Sequence, residues 1–377
     1  MNTGVLALFG GSFDPITNAH MSVIRELSAR FSEVVVMPSH VSPFKRDSET
    51  APDSVRFNLV RECCKDYENV VVSDYELKND SVSYSYNTIE YFKNQGKTVY
   101  FVIGSDMLVD LNKWKNTDSL KKNAVFYLVK RPYFEIDEQI LQQRRNEGFK
   151  IEIAPFVGAE GSSSLLKVAV AFNKENEVVP NVVAQYARDN GLYTQYVSIV
   201  EKYPLFKMKQ TRISHTYSVA KEAIVLAKTH HVDVEKAIRA SLLHDIGKYV
   251  NETDLTEMGI PFSPQVKDCE EAVKHCYFSS SIARHVLGET DEDVLNAIEN
   301  HTTGRPDMSA LEKVVFLADY TEEGRTFDGV EKARALCVQS LDKGMEYALE
   351  RTVDYLKKNH KKIDVRTIIA LEFYKEN

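Results

Sequence analysis

The sequence predicts two architectures in one chain: a parallel α/β sheet with helices on both faces, followed by an all-α domain. Three observations carry this reading. Short β-branched runs alternate with helical stretches through the first half, the pattern of parallel strands joined by crossover helices. From about Tyr196 the strand signal almost vanishes and apolar residues recur at helical spacing. A chain of 377 residues is also too long for one ordinary core. The boundary is expected within residues 194–205, giving domains 1–195 and 196–377.

The first strand is the buried run "VLALF", followed by a helix through "MSVIRELSARF" and a strand "EVVVMP". "NVVVSDYEL", "TVYFVIG", "AVFYLVKR" and "KIEIAPF" are further strands, with helices such as "SVRFNLVRECCKD" and "YNTIEYFKNQG" between them. "VPNVVAQYARDNGLY" closes the half with a helix. The second half reads as successive helices: "ISHTYSVAKEAIVLAKTHH", "DVEKAIRASLLHDIG", "CYFSSSIARHVLG", "DEDVLNAIENH", "ALEKVVFLADY" and two more. Asp233 and Asp291 stand where N-caps belong, and Gly288 where a C-cap belongs.

Composition narrows the class. With 43% hydrophobic and 27% charged residues the chain is that of an ordinary globular protein. A formal net charge of −8 argues against tracking a nucleic-acid backbone but allows small anionic ligands. The five cysteines form no CxxC pair, as in a reduced compartment. No signal-peptide pattern opens the sequence, and no stretch approaches the ~20 apolar residues of a membrane span. The expectation is a soluble cytoplasmic protein with no nucleic-acid or membrane partner; the sequence leaves its oligomeric state open.

One stretch of the first half carries chemistry. In "LFGGSFDPITNAH", Gly10 and Gly11 end a strand and let a ligand approach the backbone. The next helix starts near Thr17–Asn18, so its free N–H groups face the same crevice, which favours phosphate. His20, one turn in, can donate to a bridging phosphate oxygen, and Thr17 can donate through its hydroxyl.

This string resembles the (H/T)xGH signature of the nucleotidyltransferase superfamily, with Ala19 in place of the usual glycine. "GSSSLLK", Gly161 to Lys167, resembles that superfamily's ISSTxIR motif. Lys167 replaces the arginine there, keeping the charge but losing the bidentate fork. "VIGSDMLVDLNKWKN", "SYNTIEYFK", "MPSHVSPFK" and "VPNVVAQYARDNGLY" are similar to segments of bacterial nicotinate mononucleotide adenylyltransferases, over about residues 1–193. The resemblance implies a Rossmann-like nucleotidyltransferase domain that uses ATP with Mg²⁺. Its reaction would pass AMP to nicotinate mononucleotide, giving deamido-NAD and pyrophosphate. It implies His20 and Lys167 as catalytic groups, with Lys45 also stabilising developing charge. Gly10, Gly11, Ser12, Phe13, Thr17, Gly104, Ser162 and Ser163 would bind substrate, while Asp106, Thr88 and Trp114 would line the nicotinate-nucleotide pocket.

In the second half, His215, the pair His244–Asp245, His275, His301 and Asp319 fall on helical faces. His215 shares its face with Val219, Ala223 and Leu226, and Asp319 with Leu311 and Val315. Buried carboxylates at Asp245 and Asp319 need partners, and a metal satisfies both. His40, His230, His231, His285 and His360 read as ordinary core or surface residues. The ordered series H…HD…H…H…D resembles the HD-domain metal-dependent phosphohydrolases. "NHTTGRPDMSALEKVVFLADYTEEGRTFDGVEKAR" resembles those that split diadenosine tetraphosphate symmetrically into two ADP. That resemblance implies two metal ions with Asp245 as the bridge, held by His215, His244, His275, His301 and Asp319. Iron, manganese, zinc and nickel all suit these ligands. Lys248, Arg305 and Arg325 become polyphosphate contacts and Asp245 a catalytic group.

Other readings stay open. Thr17, Ala19, Gly161 and Lys167 all depart from the pattern around the triphosphate, as in a nucleotide-sensing module. A phosphopantetheine-type adenylyltransferase is the rival for the first half, and a hydrolase of another nucleotide for the second.

Overall fold

A computed structural model describes residues 4–40, 51–78, 82–132, 136–159 and 161–376; Lys45 lies outside them. The chain divides into two compact units, one of residues 1–166 and 174–193, the other of residues 167–173 and 194–377.

The first unit is built on strands β1 (Val5–Gly11), β2 (Glu33–Pro38), β3 (Val70–Val72), β4 (Thr98–Gly104), β5 (Ala124–Lys130) and β6 (Ile151–Val157). All pair in parallel in the order β3-β2-β1-β4-β5-β6. Helices α1 (Asn18–Ser28), α2 (Asp53–Cys64), α3 (Ser85–Asn94), α4 (Thr117–Asn123) and α5 (Glu138–Asn146) make the connections. Beyond β6 come α6 (Ser163–Ala171), α7 (Glu175–Val178) and α8 (Asn181–Asp189). The fold class matches the expectation. The strand expected through "NVVVSDYEL" shrinks to three residues: β3 is an edge strand, Val71 is 52% exposed, and the chain enters a turn at Tyr75.

This order reverses direction between β1 and β4, so a crevice opens beyond their carboxyl ends. Gly10 and Gly11 end β1, and Gly104 ends β4. Leu6 and Leu8 of β1 are buried with Val99, Phe101, Phe126 and Leu128 in the sheet's core.

The second unit holds α9 (Val197–Val200), α10 (Gln210–Thr229), α11 (Val234–Leu243), α12 (Glu252–Glu257), α13 (Lys274–Val286), α14 (Glu292–Asn300) and α15 (Ala310–Thr321). α16 (Val330–Gln339), α17 (Leu341–Lys358) and α18 (Val365–Glu376) follow. Among the described residues that is three helices more than the seven the sequence suggests: the short α9 and α12, and a third helix after α15, where Ser340 breaks the final run. Its backbone is extended and its side chain accepts from the N–H of Lys343 to start α17. Asp233 and Asp291 cap α11 and α14, and Gly288 takes the left-handed turn after α13, with φ +71°. α10 packs on α11 and α15, burying Val219, Ala223 and Leu226 against a core that includes Ile298 and Val315. Among the described residues no helix is long and apolar enough to cross a membrane.

Candidate active sites

The crevice of the first unit contains a cavity of about 460 Å³ lined by Gly10, Gly11, Ser12, Glu76 and Trp114, among others. Thr17 is the N-cap of α1 and His20 its third residue. The two form a reciprocal box: Thr17 Oγ1 accepts from the His20 N–H at 3.3 Å, and His20 Nδ1 accepts from the Thr17 N–H at 3.0 Å. Thr17 Oγ1 also stands 2.8 Å from that ring nitrogen. A neutral His20 therefore carries its proton on Nε2. Phe13, with φ +43°, sets its ring edge-on to His20 at 5.1 Å between centroids.

Thr17, read as a phosphate donor, has a different partner here. The residue is fully buried and its hydroxyl contacts the backbone N–H and Nδ1 of His20. Ala19 and Gly161, two departures from the motif, form one packing pair: a Cβ on Gly161 would lie 2.9 Å from that of Ala19. Ser162 caps α6 by accepting from the Leu165 N–H, and the Ser163 hydroxyl donates to the Asp14 carbonyl at 2.6 Å. Lys167, expected at the phosphates, is counted with the second unit, where its ammonium meets Glu235 at 2.9 Å. Arg56, which the sequence reading passed over, is 1% exposed and donates to the carbonyls of Ser12, Ser39 and Ala51. It also pairs with the Asp53 carboxylate, and it ties the loop after β1 to the one after β2; no motif flags it, because most of its partners are backbone oxygens.

The residues expected around the nicotinate ring fall into different places. Trp114 lines the cavity and sets its edge against Phe101 and Phe126. Thr88 is buried on α3 and donates its hydroxyl to Glu76, so it reaches the cavity through that carboxylate. Burial pushes the Glu76 carboxyl up, partly offset by hydrogen bonds from Thr88 and Ser83. Asp106 pairs with Arg131 at 2.9 Å, folded over Gly104, where a Cβ would meet the Asp106 carboxylate at 2.3 Å.

In the second unit the six expected ligands come together. His244 and His301 each follow the last residue of a helix, and each donates Nδ1–H to the carbonyl three residues back: Ser241 at 2.6 Å and Ile298 at 2.7 Å. Both Nε2 lone pairs are thereby presented to the cluster. Gly247 lets α13 approach so closely that a Cβ would lie 2.7 Å from the Ser279 nitrogen, which brings His275 to Asp245 at 3.1 Å. His215 Nε2 stands 3.0 Å from Asp319, while its Nδ1 meets the buried Glu322 at 3.2 Å. Ligand atoms of His215, His244 and Asp245 lie within 4.8 Å of one another, as do those of His244, His301 and Asp319.

Three buried atoms here, Nε2 of His215, Nε2 of His244 and Oδ1 of Asp245, have no hydrogen-bond partner of good geometry. Orphaned acceptors at this depth are costly, and a cation satisfies all three, so the donor set fits a metal. Burial lowers His244, keeping it a neutral donor. Burial alone would raise Asp245, but His244, His275 and His301 outweigh it and hold the carboxyl well below its ordinary range. Burial would likewise lower His301, yet Cys276 and Asp245 raise it well above the usual value, so protons compete with a cation for this site.

Of the expected polyphosphate contacts, Lys248 stands 2.9 Å from His275 and Arg325 2.6 Å from Asp319. Arg305 does not join them. It is bound to the buried Glu312, which also caps α15, and so it braces that loop. Arg212, at 2.7 Å from Asp245, and Glu322 are site residues that the sequence reading missed.

Comparisons agree with the two geometries. Residues 8–180 match the cytidylyltransferase-like family model and residues 212–324 the HD domain model. A Mycoplasma pneumoniae protein named "probable nicotinate-nucleotide adenylyltransferase/Ap4A hydrolase" is 26% identical over 362 residues, spanning 93% of this chain and 98% of its own. A Clostridium acetobutylicum protein named "probable nicotinate-nucleotide adenylyltransferase" is 30% identical over 199 residues, covering 50% of this chain and 98% of its own length. A Halalkalibacterium halodurans symmetrical bis(5'-nucleosyl)-tetraphosphatase is 37% identical over 158 residues, 41% of this chain and 84% of its own. The chain thus belongs, through its first half, to the nicotinate-nucleotide adenylyltransferase family and, through its second, to the HD-domain symmetrical tetraphosphatase family.

Proposed function

We propose that the chain is a cytoplasmic bifunctional enzyme, with residues 1–195 transferring AMP from ATP to nicotinate mononucleotide and residues 196–377 hydrolysing diadenosine tetraphosphate. The observation that carries the reading is the pair of opposite histidine settings: a ring held through Nδ1 at the start of the helix that follows the glycine turn, and two ring lone pairs in a carboxylate cluster.

In the first reaction the mononucleotide phosphate attacks the α-phosphorus of ATP in line, and pyrophosphate leaves. No protein nucleophile is needed; His20 donates from Nε2 to the phosphate oxygen where charge grows. Mg²⁺ would accompany ATP, and Trp114 would take the nicotinate ring. In the second reaction, water attacks phosphorus and one ADP leaves the other. The chemistry supplied by two bound cations is an activated water and a neutralised phosphate. His215, His244, Asp245, His275, His301 and Asp319 would hold them, with Asp245 between. Lys248, Arg325 and Arg212 would bind the chain of phosphates.

A second reading, a nucleotide-sensing first half, draws support from Lys167, whose charge is taken by Glu235. One assay panel separates them: the purified chain with ATP plus nicotinate or nicotinamide mononucleotide, and separately with diadenosine tetraphosphate under Fe²⁺, Mn²⁺, Zn²⁺ or Ni²⁺. Pyrophosphate release with the nicotinate nucleotide and ADP formation with tetraphosphate are expected. Tight nucleotide binding without pyrophosphate would establish sensing.

A further inference from the structure

We infer that Cys276 is a thiolate ligand to one cation of the HD cluster, together with His275, His301 and Asp245. The inference rests on the metal reading of that cluster and adds to it a sulfur donor that the series H…HD…H…H…D does not contain.

Cys276 is fully buried on α13, directly after His275. Its Sγ lies 3.6 Å from His275 Nε2 and 4.0 Å from His301 Nε2, and those two nitrogens are 3.3 Å apart. For tetrahedral zinc, bonds of about 2.05 Å to nitrogen and about 2.3 Å to sulfur give edges of about 3.3 Å between nitrogens and about 3.6 Å between nitrogen and sulfur. Two sides of the triangle on the protein have those lengths, and the third, from Sγ to His301, is longer at 4.0 Å. Asp245 Oδ1 is a further donor beside the two imidazoles, 3.1 Å from His275 Nε2 and 3.7 Å from His301 Nε2. It is this buried oxygen that lacks a hydrogen-bond partner of good geometry, which is independent of the cysteine and calls for a cation at the same point.

The neighbours suit a metal-bound sulfur. Thr302 Oγ1 is 3.2 Å from Sγ, so its hydroxyl can turn to donate to a thiolate. Lys248, 2.9 Å from His275 Nε2, must give up that contact when a cation takes the nitrogen, and its ammonium is then released toward the phosphates. Binding breaks the S–H bond, sends the proton to solvent and forms one metal–sulfur bond, with no change of oxidation state. A thiolate beside two imidazoles selects borderline ions such as Zn²⁺, Fe²⁺ or Co²⁺ over Mg²⁺.

The test is a Co²⁺ titration of the metal-free full chain, followed in the near ultraviolet for a thiolate-to-cobalt band and by direct cobalt analysis. The wild type is expected to develop the band, and Cys276→Ser to lose it and bind cobalt at least about tenfold more weakly. The other four cysteines are present in both proteins, so the difference reports on Cys276 alone. Cobalt bound without the band, or an equal band in the variant, overturns the inference while leaving the metal reading intact. No cobalt bound at all overturns both. Should Cys276→Ser fail to fold, X-ray absorption of the wild type with one zinc decides: a sulfur neighbour at about 2.3 Å supports the ligand and its absence refutes it.

Discussion

His20 and His244 are each held by Nδ1 through a bond to the residue three positions earlier, yet the two bonds have opposite polarity. His20 sits in the first turn of α1, where the backbone groups in need of partners are N–H groups, and its Nδ1 accepts from Thr17. His244 caps the end of α11, where the groups in need are carbonyls, and its Nδ1 donates to Ser241. His301 repeats this at the end of α14. The helix end thus decides what the other nitrogen offers: a proton for an anion at His20, a lone pair for a cation at His244 and His301. The surroundings follow suit. His20 is half-buried against the rings of Phe9 and Phe13, while His244 is fully buried beside a carboxylate whose oxygen lacks a well-aligned partner.

The largest effect should come from the cation-binding side. His244→Ala removes a neutral donor from the cluster, so bound metal should fall and tetraphosphate hydrolysis drop by about a thousandfold or more, with AMP transfer unchanged. Metal analysis beside both assays checks this, and retained hydrolysis after loss of metal would sink the assignment. On the anion-binding side, His20→Ala should lower kcat for AMP transfer by about a hundredfold or more, the scale of one lost donor. Thr17→Val sharpens the comparison. It keeps the backbone donor to Nδ1 but removes the hydroxyl, so kcat should fall about tenfold with KM for ATP nearly unchanged. A rise in KM with constant kcat would instead mean that Thr17 touches the nucleotide.

The clustering of the second site's residues was legible because a histidine or aspartate on an apolar helical face is a conspicuous cost, and six of them in order repeat it. The sheet was legible for the same reason, through β-branched runs that only a covered parallel strand buries. What sequence spacing could not reveal was where each charge would find its partner. Lys167 stands at the right motif position, but Glu235, 68 residues away, neutralises it. Arg305 lies within a specific family stretch and is absorbed by Glu312. Arg212 and Asp245 are 33 residues apart and meet only because α10 packs on α11. The capping box at Thr17 was not foreseen for a local reason: a hydroxyl at a helix start was assigned to a ligand alone, although the histidine three residues on can complete the box.

Glu76 offers the finest test of how the cavity of the first unit is balanced. Its carboxyl is raised by burial and accepts from Thr88, so the ionised form is the strained one in the folded protein. A folded pKa above the unfolded value means that the folded state binds this proton more tightly. The stability it contributes is complete below the unfolded pKa and is lost as pH rises through the folded one. Glu76→Gln keeps an oxygen for the Thr88 hydroxyl and removes the charge. Thermal unfolding between about pH 4 and 8 should show a small gain in Tm for the variant at neutral pH, on the order of 1–2 °C, shrinking toward acid. A variant less stable than wild type at neutral pH would show that a cationic partner, and not burial, governs this carboxylate.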